Sequence, residues 1–241
     1  MLAFELYCLI PNGQDTVNNP QIAALANAIG RSPNSVKLKL QNFKSYDPSY
    51  TQDGRTGLRH ASALDEGVCR EFSQNLGLLI AETSAIKKKL GLPQYEEASE
   101  GLQEVIVTGG DRDALRKERL GQALFRRALL AAYNNTCCFT GIAVPDLLRA
   151  SHIKPWVESN SEKKTNPRNG LLLNALHDAA FDKGYVTITV DYKIKVSRVL
   201  LTDNEPSRRY FAPLHGRSIT LPSRFLPDRQ FIEHHNEIFR G

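Results

Sequence analysis

No run in this 241-residue sequence approaches the roughly 18 consecutive apolar residues needed to cross a bilayer. The opening stretch MLAFELYCLIP lacks a basic leader and a small-residue cleavage site, so it does not read as a secretory signal. The expectation is a cytoplasmic protein with no membrane partner. Cysteine is scarce: Cys8, Cys69, Cys137 and Cys138 are the four, and none forms a Cys-x-x-Cys pair. The usual signal for structural zinc is missing, and none is expected. Adjacent Cys137 and Cys138 would point to opposite faces of a strand, which suits neither a common disulfide nor a shared metal. Reduced, buried thiols are the reading. Internal repeats and low-complexity tracts are absent, and tryptophan occurs once, at Trp156.

What is present is an ordinary soluble composition, 41% hydrophobic and 24% charged. Lys and Arg outnumber Asp and Glu by 31 to 26, a net charge of +5 that hints mildly at a polyanionic partner. Residues 87–117 are rich in charge, glycine and turn formers. They divide the chain into a helical domain over 1–86, a linker over 87–111 and a second domain over 112–241.

In the first domain Ile22, Leu25, Ala26 and Ile29 follow helical spacing, and Gly30 ends that segment. Ser32 caps a second helix with Pro33 in its first turn, and Val36, Leu40 and Phe43 give that helix a buried face. Two short helices joined at a glycine resemble a DNA-reading helix-turn-helix, with Ala26, Gly30 and Val36 in its register. Arg31, Ser32, Asn34, Ser35, Lys37 and Lys39 are then the candidate DNA-binding residues, of the kinds that reach phosphates and base edges. The competing reading is a helical hairpin with a solvated basic face. The Arg/Gly stretch GRTGLRHAS (54–62) is a weaker candidate for backbone contact.

The second domain opens with an amphipathic helix carrying Leu120, Leu124, Ala128 and Leu129, ended by Asn134-Asn135. TCCFTGI and DLLRASHI read as two strands with Gly141 to Asp146 turning between them. A loop follows, then the helix LLLNALHDAAFDKG stopping at Gly184, then the alternating hairpin YVTITVDYKIKVS. The overall class is α+β.

This order brings together His152 at a strand end, Asn169 at a loop-helix junction and His177 in a helix. An imidazole with a pKa near 6.5 suits water deprotonation at neutral pH. A divalent cation best offsets charge on a leaving oxygen, and a helix-borne imidazole offers it a ligand. An amide at the loop can hold the base's strand in place.

CCFTGI, LLRASHIKPW and NPRNGLLLNALHDAAFDKG together resemble the HNH nuclease motif, the ββα-metal fold, in the branch found among predicted restriction endonucleases. The flanking RLGQALFRRALLAAY and ITLPSRFLPDRQFIEHHNEIF resemble that branch too, so the likeness spans about half the chain, roughly residues 112–240. It implies His152 as general base, Asn169 as the central asparagine and His177 as the metal-binding histidine, with Mg2+ or Mn2+ as cofactor. The substrate implied is double-stranded DNA, with Arg168 as a further DNA contact, and cutting two strands from one small site suggests a homodimer.

Two departures stand out. Ser151 occupies the position before the base where many HNH enzymes carry an aspartate, and a neutral hydroxyl is a poor ligand for a hard cation. The zinc clamp of many relatives is also absent, so packing by Leu171, Leu173, Leu176 and Phe181 must replace it. Asp178 and Asp182 could bind metal, but Asp178 lies about 100° around the helix from His177, and Asp182 is read as a helix-end residue. His234-His235 read as a solvated pair. Trp156 is expected beneath the loop, and Arg126 and Arg127 are candidates to neutralise phosphates.

Three functions compete. The first is a metal-dependent DNA endonuclease of restriction or host-defence type. The second is a DNA-binding regulator with an inactive HNH-like domain, favoured only by Ser151. The third is an RNA-cutting toxin, disfavoured because the A-form major groove is too narrow to admit a reading helix.

Overall fold

The computed structural model describes residues 1–51, 62–94, 111–155, 164–202 and 204–241. Most of GRTGLRHAS, much of the linker, Trp156 and the loop after it lie outside the described residues. The protein is α+β, a helical region up to residue 132 followed by two small antiparallel hairpins and further helices.

The opening stretch forms α1 (Leu2–Leu9), whose Phe4, Tyr7 and Cys8 are buried. Phe4 and Tyr7 both pack their rings against Phe43. Helix α2 (Pro20–Ala28) is capped by Asn19, and α3 (Pro33–Lys44) by the Ser32 hydroxyl, which accepts from Ser35 N at 3.2 Å. Between them Gly30 takes a φ of +64°, a left-handed turn that costs a glycine little. Ile22, Leu25, Ala26, Val36, Leu40 and Phe43 are buried together. A short α4 (Pro48–Thr51) precedes α5 (Ala63–Phe72) and α6 (Leu76–Lys89).

Helix α7 (Asp111–Ala132) packs against α1 and α6, and one continuous hydrophobic core runs from Phe4 to Ile232. Asn134 and Asn135, both at positive φ, end α7.

The strands differ from the expected order. TCCFTGI is a turn, closed by Cys137 N to Ile142 O at 2.8 Å and Gly141 N to Cys137 O at 2.9 Å. Strand β1 (Leu148–His152) pairs antiparallel with β2 (Gly170–Asn174), placing Ser151 opposite Leu171 and His152 opposite Gly170. The order is therefore strand, loop, strand, helix. Within GLLLN, the residues from Leu171 on were expected to start the helix. The whole stretch is a strand buried at every position, and such a run has no alternation to separate it from a buried helix. Cys137 and Cys138 are both buried beside β2, where Asn174 N donates to Cys137 Sγ at 3.3 Å and Cys138 N to Leu172 O at 2.9 Å. All four cysteines are free thiols.

Gly170 is required by packing. A Cβ there would meet Leu129 Cδ1 at 2.5 Å and Phe125 Cζ at 2.7 Å. Helix α8 (Ala175–Asp182) follows, its first turn capped by Asn174 Oδ1 accepting from His177 N at 3.1 Å. The hairpin of β3 (Val186–Ile188) and β4 (Ile194–Val196) comes next, then α9 (Arg198–Thr202), α10 (Glu205–Phe211) and α11 (Arg229–Glu237). Leu171, Leu173 and Phe181 are core residues, whereas Leu176 is 49% exposed and takes no part in the packing expected of it. His235 is not solvated either. It is buried, stacked on Phe181 at 3.8 Å, with Nδ1 2.8 Å from Thr187 Oγ1 and Nε2 3.1 Å from the Phe181 carbonyl.

Candidate active site

Successive residues of a strand face opposite ways, and the end of β1 uses both faces. His152 faces α7, its ring stacked on Phe125 at 4.0 Å and 11°. Ser151 faces α8. The His152 Nε2 lies 3.0 Å from the Lys164 carbonyl. A carbonyl only accepts, so Nε2 carries the proton and the lone pair of the neutral ring is on Nδ1. Burial lowers the His152 pKa below 6.5, the Lys164 carbonyl partly offsets this, and the Lys164 charge reinforces it.

Asn169 closes the loop that leaves β1. It is wholly buried, its Oδ1 accepting from Lys154 N at 2.7 Å and its Nδ2 donating to Lys154 O at 3.2 Å. Its own carbonyl accepts from Ile153 N at 3.0 Å. The backbone immediately after His152 is thereby tied to the start of β2. His152 and Asn169 are brought together as adjacent parts of one brace.

His177 lies apart from them. Its Nδ1 donates to Asn174 Oδ1 at 2.8 Å, and its ring sits between Phe139 and Phe211, at 6.1 and 5.3 Å between centroids. Nε2 is sealed with no hydrogen-bond partner. The Tyr210 carbonyl is near enough to counter in part the lowering of the pKa by burial, yet outside hydrogen-bond geometry.

One residue further on, the half-buried Asp178 lies beside the buried Ser151 hydroxyl, which makes no hydrogen bond of good geometry. Burial raises the Asp178 pKa, tempered by Ser151 and by the Arg149 charge. Asp182, one turn later, is exposed at the helix end, but its pKa is pushed up to about 6, by burial of the carboxyl first and then by the Asp178 charge. Two carboxylates four residues apart thus share the face of α8 that meets Ser151. Sequence reasoning passed over Asp178 by measuring its angle from His177. The available signal was its spacing from Asp182. Among the described residues no group of three or more His, Cys, Asp or Glu side chains is placed to hold a metal.

The expected DNA contacts fall into two sets. Asn34 and Ser35 are exposed on α3, Ser32 is its cap, Arg31 is exposed just before the cap, and Lys37 is half-buried. Lys39 instead holds the buried Asp65, at 2.9 and 3.0 Å. Arg168 donates from Nε to the Leu226 carbonyl at 3.2 Å and pairs with Asp228 at 3.4 Å. Arg126 serves the fold too, donating to the carbonyls of Leu148 at 2.7 Å and Pro145 at 3.1 Å.

Residues 137–189 match the family described as HNH endonuclease, and the chain carries that domain there. No curated protein matches the chain. Among solved structures it is similar to one titled "Modification dependent TagI restriction endonuclease", at 18% identity and a TM-score of 0.36, covering 48% of this chain and 37% of that one. The chain therefore spans little more than a third of that protein's length. No helix among the described residues is long and apolar enough to cross a membrane.

Proposed function

From the HNH endonuclease domain at residues 137–189, we propose that the protein is a metal-dependent endonuclease hydrolysing phosphodiester bonds of double-stranded DNA, of restriction or host-defence type. The observation that carries this is the state of His152: neutral, stacked on Phe125 and fixed by Lys164 with its lone pair on Nδ1. That is the form in which an imidazole takes a proton from water. Asn169 is a positioning residue, bracing Lys154 two residues after the base.

A divalent cation, Mg2+ or Mn2+, would offset charge on the leaving oxygen. Sequence assigns it to His177, and the Nε2 lone pair has the right chemistry, but that atom is closed off between Phe139 and Phe211. Asp178 and Asp182 fit a hard cation better, because both offer oxygen ligands and the Asp178 charge already disfavours ionisation of Asp182. The carboxylate missing at Ser151 would thus come from the helix opposite it. The exposed Arg31 before α3 and Asn34 and Ser35 on it, with Lys37, are the proposed DNA contacts of a helix-turn-helix over 20–44. Lys39 and Arg168 support them through their ion pairs. Residues 1–86 and 112–241 would be the two working parts of a protein that cuts both strands as a homodimer.

The test is plasmid cleavage with Mg2+ or Mn2+, with and without EDTA, beside His152→Ala. Survival of plasmids of every sequence and methylation state tried would remove the nuclease reading. Equal cleavage by His152→Ala would remove the assigned base. Calorimetric titration with Mn2+ separates the ligands: Asp178→Asn is expected to weaken binding at least tenfold, and His177→Ala much less. The reverse order would restore His177 as the ligand. A second reading, a DNA-binding regulator with an inactive HNH-like domain, is favoured by the uncharged Ser151. It predicts DNA binding without cleavage in any metal.

A further inference from the structure

The segment after β4 returns to the N-terminal helices and encloses a cavity of about 390 Å³ with them. This is within the usual size range of small-molecule sites, roughly 300–1,000 Å³, which favour such seams. The seam itself is well bonded. Asp47 accepts from Tyr7 Oη at 2.9 Å and from Phe225 N at 3.3 Å, and Ser49 Oγ accepts from Leu226 N at 2.8 Å.

Arg224 lines this cavity and is 4% exposed. A guanidinium has five N–H donors, and burying one without an acceptor is costly. Its one described contact of this kind is the Tyr7 ring, 4.7 Å from the guanidinium carbon. Nε is sealed without a partner, and among the described residues no carboxylate pairs with it. Asp47 accepts instead from Tyr7 Oη, Phe225 N and Ser49 N. The second charged residue on the lining is also a cation, Lys44, bound to Asp15 at 2.7 Å. Neither Asp15 nor Asp47 lines the cavity. A cavity whose lining carries two cations, Lys44 and Arg224, and the neutral polar groups of Asn12 and Asn134 is suited to an anion with several acceptor oxygens.

We propose that this cavity binds the phosphate group of a nucleotide, at a site separate from His152 and Asp178. The phosphate accepts from the terminal nitrogens of Arg224 and from Lys44, and joins the N-terminal helices to the 220–226 segment. A free nucleotide and a phosphate of bound DNA share this chemistry.

The experiment uses the full chain and three probes: inorganic phosphate, thymidine 5′-monophosphate and a short DNA duplex. Phosphate or the nucleotide at ten times its dissociation constant is expected to raise the wild-type Tm by roughly 3 °C over chloride at equal ionic strength. Lys44→Gln, at a partly exposed side chain, and Arg224→Gln are each expected to cut the response at least tenfold in apparent affinity. If Arg224→Gln retains duplex affinity while losing the nucleotide response, the ligand is a free nucleotide. If duplex affinity falls as well, with a salt slope smaller by about one, it is a DNA phosphate. Failure of Arg224→Gln to fold leaves the wild-type and Lys44→Gln measurements to decide. No wild-type response to any probe, or an undiminished response in every variant that folds, overturns the proposal.

Discussion

Replacing Asn169 with alanine removes a side chain that makes both ends of one brace, and its cost can be worked from the geometry. The amide accepts from Lys154 N at 2.7 Å and donates to Lys154 O at 3.2 Å in a wholly buried position. Each hydrogen bond contributes about 1 kcal/mol net, and a buried group left unpaired costs about 1–3 kcal/mol. Lys154 is itself half-buried, so water can reach its backbone and the lower end applies. We expect Asn169→Ala to lose about 2–3 kcal/mol in urea denaturation. Asn169→Asp should lose more, because a carboxylate faces the Lys154 carbonyl without a proton to donate. Single-turnover DNA cleavage at a temperature where the variant is folded should fall by roughly 100-fold, since the brace sets the backbone two residues from the base. A variant destabilised by less than about 1 kcal/mol and cutting at the wild-type rate would refute the brace and the role built on it.

Three further outcomes follow from burial and charge. The acid limb of kcat/KM should lie below pH 6.5, because burial lowers the His152 pKa and only the neutral ring accepts a proton; a midpoint above pH 7 would exclude His152 as the titrating base. His235 falls from 6.5 to about 4, by burial first, so below pH 6.5 the unfolded chain binds a proton that the folded one refuses. Stability should drop as pH falls from 6.5 to 4, with a contribution on the order of 3 kcal/mol complete only below the lower value. Urea titrations of His235→Gln should show a shallower acid decline, and parallel curves would refute this. Arg31→Ala with Lys37→Ala should weaken DNA binding and lower its salt slope by up to two, as counterion release requires. An unchanged slope would remove α3 from the interface.

Local signals were sufficient wherever the deciding partner lay a few residues away. The cap at Ser32, the turn at Gly30 and the Asn134-Asn135 stop of α7 are all of this kind. They are written in side chains that bond their own backbone or take positive φ. His152 was legible at its strand end, whereas Asn169, expected where the loop meets a helix, stands where it meets β2. Distant partners left no local trace. Lys39 looked like a free phosphate contact until Asp65 reached it from α5, and Arg168 until Asp228 did so from the N-cap of α11. His235 looked solvated because Thr187 and the Phe181 carbonyl, 48 and 54 residues earlier, close around it.

The missed strand and the missed carboxylate have one cause. Reading LLLN as the start of a helix leaves β1 without its true partner, and then nothing fixes which face of the following helix meets Ser151. With β2 in place, Ser151 stands opposite Leu171, and Asn174 both ends the strand and caps α8. That cap sets the phase of the first turn. His177 turns inward, its Nδ1 held by the capping side chain itself and its ring closed in by Phe139 and Phe211. Asp178, about 100° further round, is then the residue left facing the strand. A helix beginning at Leu171 would have no reason to place either residue where it stands. The burial that hid β2 from periodicity therefore also hid the carboxylate we propose as metal ligand. The substitution that probes this phase is Asn174→Ala: it removes the cap and the Nδ1 acceptor together, so α8 should fray at its start and Mn2+ binding through Asp178 should weaken even though Asp178 is untouched.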